Sequence, residues 1–487
     1  MYLPSNRSSL WSKRYIFLAV LLIITLLFLN SDSGPDLYRL RHQITDFAIP
    51  GQKGSWTTRR QFVDRVLAND FYTTQYDGAA VRELCGEAKW RDDRIVECHG
   101  LAGGIGNLKI DLLGCVRFAI EAGGRGDHSP FNRGSLLTEP SAAILITPAL
   151  HPREAFNRMS ESFGWDTDLP VSYMFDSDHF FDTLAEDCPQ LHIVDQDDPS
   201  YNIPPKSEAH TIEVKQLTPV MFRTVLVDPS LWRPALDQRV EEIVAENNLP
   251  QPTEEHPIRM ILDDVAFAWP VRYDSDEFRS DFGLIARFPR HIREVSARAL
   301  YNLYKRLDIN QSPAGPSTGA FLGAHVRTEG DAQIEAWSSF ETQAELIKQQ
   351  VEINQLGALY VATGTMSDVE RLKGYLADVR VSVNDTHTAA PQVLQKWDIL
   401  DESDIMILDE LTWDQLALVD LDIMLRASYF VGIWQSSWSW TIALKRHAYS
   451  EQNPYDYDAH PITYQDEHSI IIGPVGAQPV IDPCMWL

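Results

Sequence analysis

From residue 94 onward, short apolar runs alternate with stretches whose apolar residues recur every three or four positions. The runs Arg94 to Cys98, Ala142 to Thr147, Val171 to Phe175 and Leu191 to Val194 predict strands, and Asn107 to Glu121 and Asp178 to Ala185 predict helices among them. After an irregular region from Lys206 to Trp269 and a mostly helical one from Asp274 to Leu307, the alternation resumes. Gly319 to Ala324, Ala358 to Ala362, Ile405 to Leu408 and Tyr429 to Val431 predict strands; Glu341 to Glu352, Ser367 to Leu376, Trp413 to Leu425 and Ser436 to Arg446 predict helices. Strands that take turns with helices pair in parallel. The expected architecture is therefore α/β, with two Rossmann-like domains joined by a helical bridge and a helix from Arg59 to Phe71 ahead of them. At 487 residues the chain is too long for one ordinary core.

The N-terminus breaks the pattern. Met1 to Arg14 holds Arg7, Lys13 and Arg14 and no acid, and the uncharged apolar run Tyr15 to Leu29 follows. That run reaches roughly 22 Å as helix against a bilayer core of roughly 30 Å, so a membrane span borrows Leu10 to Ser12 or sits in a thin bilayer. Cations ahead of the run put the N-terminus in the cytosol and the rest of the chain outside it. A cleaved signal peptide is the alternative, but no A-x-A-like site follows Leu29. The chain then divides into a cytosolic tail (1–14), a transmembrane signal anchor (15–30), a stem and linker helix (31–90), an N-terminal Rossmann-like domain with its bridge (91–300) and a C-terminal one (301–487). The expected location is the Golgi or endoplasmic reticulum membrane, single-pass and type II, with the bulk luminal.

Charge narrows the partners. Beyond the tail, 39 basic residues face 69 acidic ones, a net charge of −30, and a polyanion repels phosphate backbones. Nucleic acid is excluded, and any bound phosphate needs a local cluster of cations and amides. Five cysteines, Cys85, Cys98, Cys115, Cys188 and Cys484, allow two bridges in an oxidising lumen. Cys85 with Cys98 closes the shortest loop, and Cys115, on an apolar helix face, is expected to be a buried free thiol. With no CxxC, HExxH or paired zinc spacing, no structural metal is expected.

Candidate chemistry sits at strand ends, where ligands bind in open α/β sheets. Gln435-Ser436-Ser437 closes a strand and opens a helix, so its hydroxyls and free N–H groups can meet a phosphate, or simply cap the helix. His325 and Arg327, two apart on extended chain, point the same way; an ion pair of Arg327 with Glu329 is the plainer reading. Gly103-Gly104-Ile105-Gly106-Asn107 is a tight turn whose small residues let amides approach a sugar or phosphate. Lys109 stands where a dinucleotide fingerprint needs its last glycine. Gly315 to Gly319 has G-x-S-x-G form, but a strand follows it instead of preceding it, which excludes a serine hydrolase.

Three of these stretches resemble, in order, motifs of the GDP-fucose protein O-fucosyltransferases. The segment Asp420 to Ser437, through Val419-Asp420-Leu421, Phe430-Val431-Gly432 and Ser436-Ser437, is similar to that family's donor-binding segment. His325-Val326-Arg327, with Glu329 and Asp331 behind it, is similar to its His-x-Arg strand end, and Gly103 to Asn107 resembles its first glycine-rich loop. Trp438 and Ser439 keep the aromatic and hydroxyl types that follow the paired serines, while Ile433 and Trp434 replace smaller, more polar residues. The resemblance implies the GT-B arrangement, two Rossmann-like domains facing across a cleft. It also implies an inverting, metal-independent transfer from GDP-fucose to a hydroxyl of a protein or glycan, with no cofactor beyond the donor substrate. Arg327 is then the catalytic residue, stabilising the departing diphosphate. Gly104, Gly106, Asn107, His325, Asp420, Ser436, Ser437 and Trp438 join it in binding the donor, with Asp420 at the guanine or ribose and Asn107 toward the sugar. Asp111, Glu329 and Asp331 are candidate bases.

Two other readings stay open. One is a membrane-anchored protein on the same scaffold that binds glycans or glycoproteins without transferring sugar. The other is a metal-dependent glycosyltransferase using Asp176 and Asp178, whose Asp-x-Asp form suits a divalent ion on a diphosphate. Those acids also end a predicted strand and open a helix, where carboxylates cap.

Overall fold

The computed structural model describes residues 56–69, 71, 76–88, 90–123, 142–153, 168–221, 224–330, 332, 337–384, 387–450, 464–473 and 485–486. The expected tail, anchor and most of the expected stem lie outside these residues, as do Asp331 and Cys484. In the first half, β1 (Arg94–Cys98), β2 (Ala143–Ile146), β3 (Leu191–Val194), β4 (His210–Glu213) and β5 (Ile258–Asp263) form a parallel sheet in the order β3-β2-β1-β5-β4. In the second, β6 (Leu322–His325), β7 (Ala358–Ala362), β8 (Gln392–Leu394), β9 (Tyr429–Ile433) and β10 (Ser469–Ile472) form another, ordered β8-β7-β6-β9-β10. Every residue of β7 and β9 is buried, as strands covered on both faces must be. Each sheet reverses its order beside its first strand, at β1/β5 and at β6/β9, and a ligand crevice opens at such a point.

Six helices matter for the site: α1 (Ile105–Gly123), α2 (Ser177–Asp187), α3 (Arg290–Arg306), α4 (Phe340–Asn354), α5 (Trp413–Leu425) and α6 (Ser437–His447). The first-half helix α1 is buried along almost its whole length because it lies against its own sheet and against α6 of the second half. The bridging helix α3 packs on α5 in the same way, so one apolar cluster runs through both halves. The chain also returns late to the first half: Trp486 stacks edge-on with Phe282 and donates to Asp274 at 3.2 Å.

Several expectations change. Val171 to Phe175 is not a strand but a 3-10 turn, Val171–Tyr173, that follows Pro170. Ile405 to Leu408 lies inside the helix Glu402–Glu410, whose first turn is capped by the Asp401 carboxylate accepting the Asp404 N–H at 3.1 Å. A four-residue apolar run fits either element, and the cap decides. The irregular region supplies β4, the helix Trp232–Glu246 and the interior strand β5. The cysteines pair as Cys85–Cys188 and Cys98–Cys115, with Cα separations of 5.4 and 5.9 Å. Loop length is the wrong criterion and Cys115 is no free thiol, because the strand-turn-helix fold sets α1 beside the end of β1, within bonding reach.

Candidate active site

A cleft of about 490 Å³ opens at the two reversal points. Gly104, Gly106, Asn107, His325, Arg327, Asp420, Ser436, Ser437 and Trp438, all expected at a donor site, line it. The glycine-rich turn delivers the first half's share. Gly103 has φ +113°, which a side chain would resist, and a Cβ on Gly106 would sit 2.6 Å from the Ser437 carbonyl carbon. That closeness brings the N-terminus of α1 against the N-terminus of α6, and the Ser437 hydroxyl donates to Asn107 Oδ1 at 2.5 Å across the halves. Neither helix has an acid in its first turn, so two positive ends converge without a compensating carboxylate of their own. Ser436 caps α6 by accepting the Ser439 N–H, so the capping role expected for it coexists with its place on the cleft wall.

On the second half's wall, Arg327 follows β6 and is held by its backbone. Gln343 of α4 accepts the Arg327 N–H at 2.9 Å and donates to its carbonyl at 2.8 Å. The guanidinium pairs with Glu329 and lies 5.6 and 5.7 Å from the ring centres of Trp337 and Trp413. Glu329 in turn accepts the Gly364 N–H at 2.9 Å. The plain ion pair and a place in the cleft are thus both realised.

His325 is buried against Trp438, with ring centres 4.5 Å apart, and its Nδ1 lies 2.8 Å from the Ser439 hydroxyl. Burial, then the charges of Arg327 and Arg153, lower its pKa to about 3, so the ring is neutral. The Ile433 N–H already donates to Ser439 Oγ at 3.1 Å; we assign the hydroxyl proton to Nδ1, which leaves the ring proton on Nε2.

Asp420 lines the cleft floor with both oxygens engaged: Tyr360 donates at 2.7 Å and Lys396 Nζ at 2.6 Å. The carboxylate fixes Lys396, which itself lines the cleft. Among the candidate bases, Asp111 is buried and absent from the cleft lining, accepts the Ala102 N–H at 3.1 Å, and has its pKa raised well above the ordinary carboxylate value by desolvation. It braces the glycine-rich turn instead. Glu329 lines the cleft. Asp176 caps α2, accepting the His179 N–H at 3.3 Å and pairing with Arg287 at 2.8 Å; neither it nor Asp178 lines the cleft.

Arg153, Lys396, Trp337, Trp413, Phe267 and Thr224 also line the cleft, and no sequence motif points to them. Lys396 comes two residues after β8 and Phe267 follows β5, strands that the apolar pattern does not reveal. Recognising those strands would have pointed to both.

No described protein family matches the chain, and no curated protein matches its sequence. Among solved structures it is similar to POFUT1 in complex with GDP (14% identity, 80% of this chain and 100% of that one, TM-score 0.38). It is also similar to the fucosyltransferase NodZ from Bradyrhizobium (14%, 72% and 92%, TM-score 0.33) and to a mutant of Arabidopsis thaliana FUT1 in complex with GDP (11%, 82% and 78%, TM-score 0.31). At such low identity and superposition the likeness carries no argument about chemistry, which must come from the cleft.

Proposed function

We propose that the chain is a glycosyltransferase that moves a sugar from a GDP-sugar, GDP-fucose on the sequence resemblance, to a hydroxyl of a protein or glycan. The carrying observation is convergence: three motifs that resemble one family's donor site meet in a single cleft, with Asn107 and Ser437 bonded although 330 residues apart. Breaking the glycosidic bond pushes an electron pair onto a phosphate oxygen, so catalysis needs preorganised positive charge there. Two helix N-termini, Arg327 and Lys396 supply it in a chain whose net charge is −27. The acceptor oxygen attacks the anomeric carbon as the diphosphate leaves, and the hydroxyl proton passes to a base; of the candidate bases Asp111 and Glu329, Glu329 is the one that lines the cleft. With charge supplied by the protein, the transfer needs no divalent ion, and the opposed attack inverts the anomeric centre. On the basic tail and apolar run of residues 1–29, the proposed location is the lumen of the Golgi or endoplasmic reticulum.

The test is GDP binding and GDP-fucose turnover by the purified chain. Tight GDP binding with donor cleavage is the expected result; no binding overturns the reading. Binding without cleavage would favour the lectin-like alternative. Activity abolished by EDTA and restored by manganese would return Asp176 and Asp178 to consideration.

A further inference from the structure

The chain leaving β5 adopts a backbone that few L-residues tolerate. Asp264 has φ 60° and Phe267 φ 53°, left-handed values at which a bulky side chain is strained. The segment is pinned around Phe267: Val265, Ala268 and Trp269 are buried, and the Ala268 carbonyl accepts the Leu226 N–H at 2.9 Å. Between these anchors the Phe267 ring rests on the core with one side and lines the cleft with another. Strain retained at a cleft residue is a lead to function.

Thr224 stands on the same wall, two residues before the Leu226 bonded to this segment. Its hydroxyl is buried and has no hydrogen-bond partner among the described residues. A buried hydroxyl left unpaired is unusual, and rotation of the Thr224 side chain would present it to a ligand in the cleft that the residue lines. An aromatic face beside a spare hydroxyl suits a ligand with an apolar face and polar edges, and neither residue carries charge for a phosphate. A pyranose ring has that shape of polarity.

We propose that Phe267 and Thr224 form a pyranose subsite, the ring packing under the sugar's C–H face and the hydroxyl bonding one of its OH groups. This rests on the glycosyltransferase reading, and the sugar belongs either to the donor or to the acceptor.

The probes are GDP, GDP-fucose and methyl pyranosides added to the GDP-bound protein, with calorimetry on Phe267→Ala, Phe267→Gly, Phe267→Tyr and Thr224→Val. GDP affinity of the unmodified protein decides the functional reading separately. In the Ala and Gly variants GDP affinity stays within about twofold, while one sugar affinity falls by roughly tenfold, the scale of one lost aromatic contact. Loss of the advantage of GDP-fucose over GDP assigns the donor sugar; weakened pyranoside binding assigns the acceptor. Tyrosine retains binding, and Thr224→Val loses less than alanine at 267. The glycine variant melts above the alanine variant, since glycine accepts positive φ. Unchanged sugar affinities in Phe267→Ala, or GDP affinity lost along with them, overturns the subsite.

Discussion

The two reversal points that face each other across the cleft are built differently. At β6/β9 the strands run to their ends regularly, and the side chains at and just beyond those ends are polar: the neutral imidazole of His325, then Arg327, Ser436 and Ser437, with Lys396 and Asp420 beside them. At β1/β5 the strands give way to a glycine-rich turn and a strained bend, and their contribution is shape: close backbone approach at Gly106, an amide at Asn107 and a ring at Phe267. Most of the charge is gathered on one wall and contour on the other, with Arg153 the cation that the first half adds. An acidic protein can thereby hold an anion locally, because preorganised donors in a partly dry cleft outweigh a distant, solvent-screened net charge.

If that division is right, the largest loss comes from the charged wall. Arg327→Ala should lower turnover per folded molecule by roughly a hundredfold to a thousandfold, the range for removing one preorganised transition-state donor. Lysine should rescue only partly, since a point charge does not reproduce the planar fork. Normal turnover in folded Arg327→Ala protein would break the comparison at its strongest point. Next comes Asp420→Asn, which leaves Lys396 without its anchor. GDP affinity should fall roughly tenfold to a hundredfold, the worth of a charge-assisted hydrogen bond. Combining it with Lys396→Met should cost less than the two separate losses added together, because the residues act as one unit; full additivity would show that Asp420 touches the ligand independently.

On the contoured wall the effects are smaller. Gly106→Ala places a Cβ 2.6 Å from the Ser437 backbone, so α1 and α6 must part. Stability should drop by roughly 1–3 kcal/mol, the usual cost of overpacking, with a several-fold weaker GDP affinity. A stability loss without any change in GDP affinity would mean that the two helix ends need not meet to hold the diphosphate.

The same contrast governs what can be read from the chain. The bounds of β1, β3 and β7 coincide with apolar runs. The interior strand β5 is hidden because Arg259 interrupts its apolar run; in the fold that guanidinium is buried and bonded to Glu97 on β1 at 2.7 Å. A cross-strand ion pair is invisible until the strands are paired. Strand β8 is only three residues long, too short for a periodicity to register. Motifs at the visible strands are therefore legible, whereas Phe267 and Lys396, lying beyond the hidden ones, are not. Asp420 does stand in the cleft as its motif implies, but its tie to Lys396 depends on Tyr360 and Lys396 arriving from separate elements, which no local pattern encodes.

The smallest effect tests the one imidazole on the charged wall. His325 has its pKa lowered to about 3 from the ordinary 6.5, chiefly by burial and then by Arg327 and Arg153. Between those two values the unfolded chain holds a proton at this position and the folded one does not, so stability falls as pH falls through the window. Above it both states are neutral and His325 contributes no slope. Replacing it with glutamine, which keeps an N–H near the Nε2 position and never ionises, should therefore flatten the acid side of the stability curve. Melting of the two proteins followed from about pH 8 to about pH 5 should show a constant gap at the alkaline end that shifts in favour of the variant toward the acid end. Turnover offers a second reading on the same samples. A neutral ring donating through Nε2 gives no activity loss as pH rises through the ordinary histidine range, whereas a cationic His325 serving the diphosphate would give one that the glutamine variant abolishes. A pH limb near the ordinary value in the unmodified protein, absent from His325→Gln, would show that the imidazole is charged and that the charged wall contains one more cation than the geometry assigns to it.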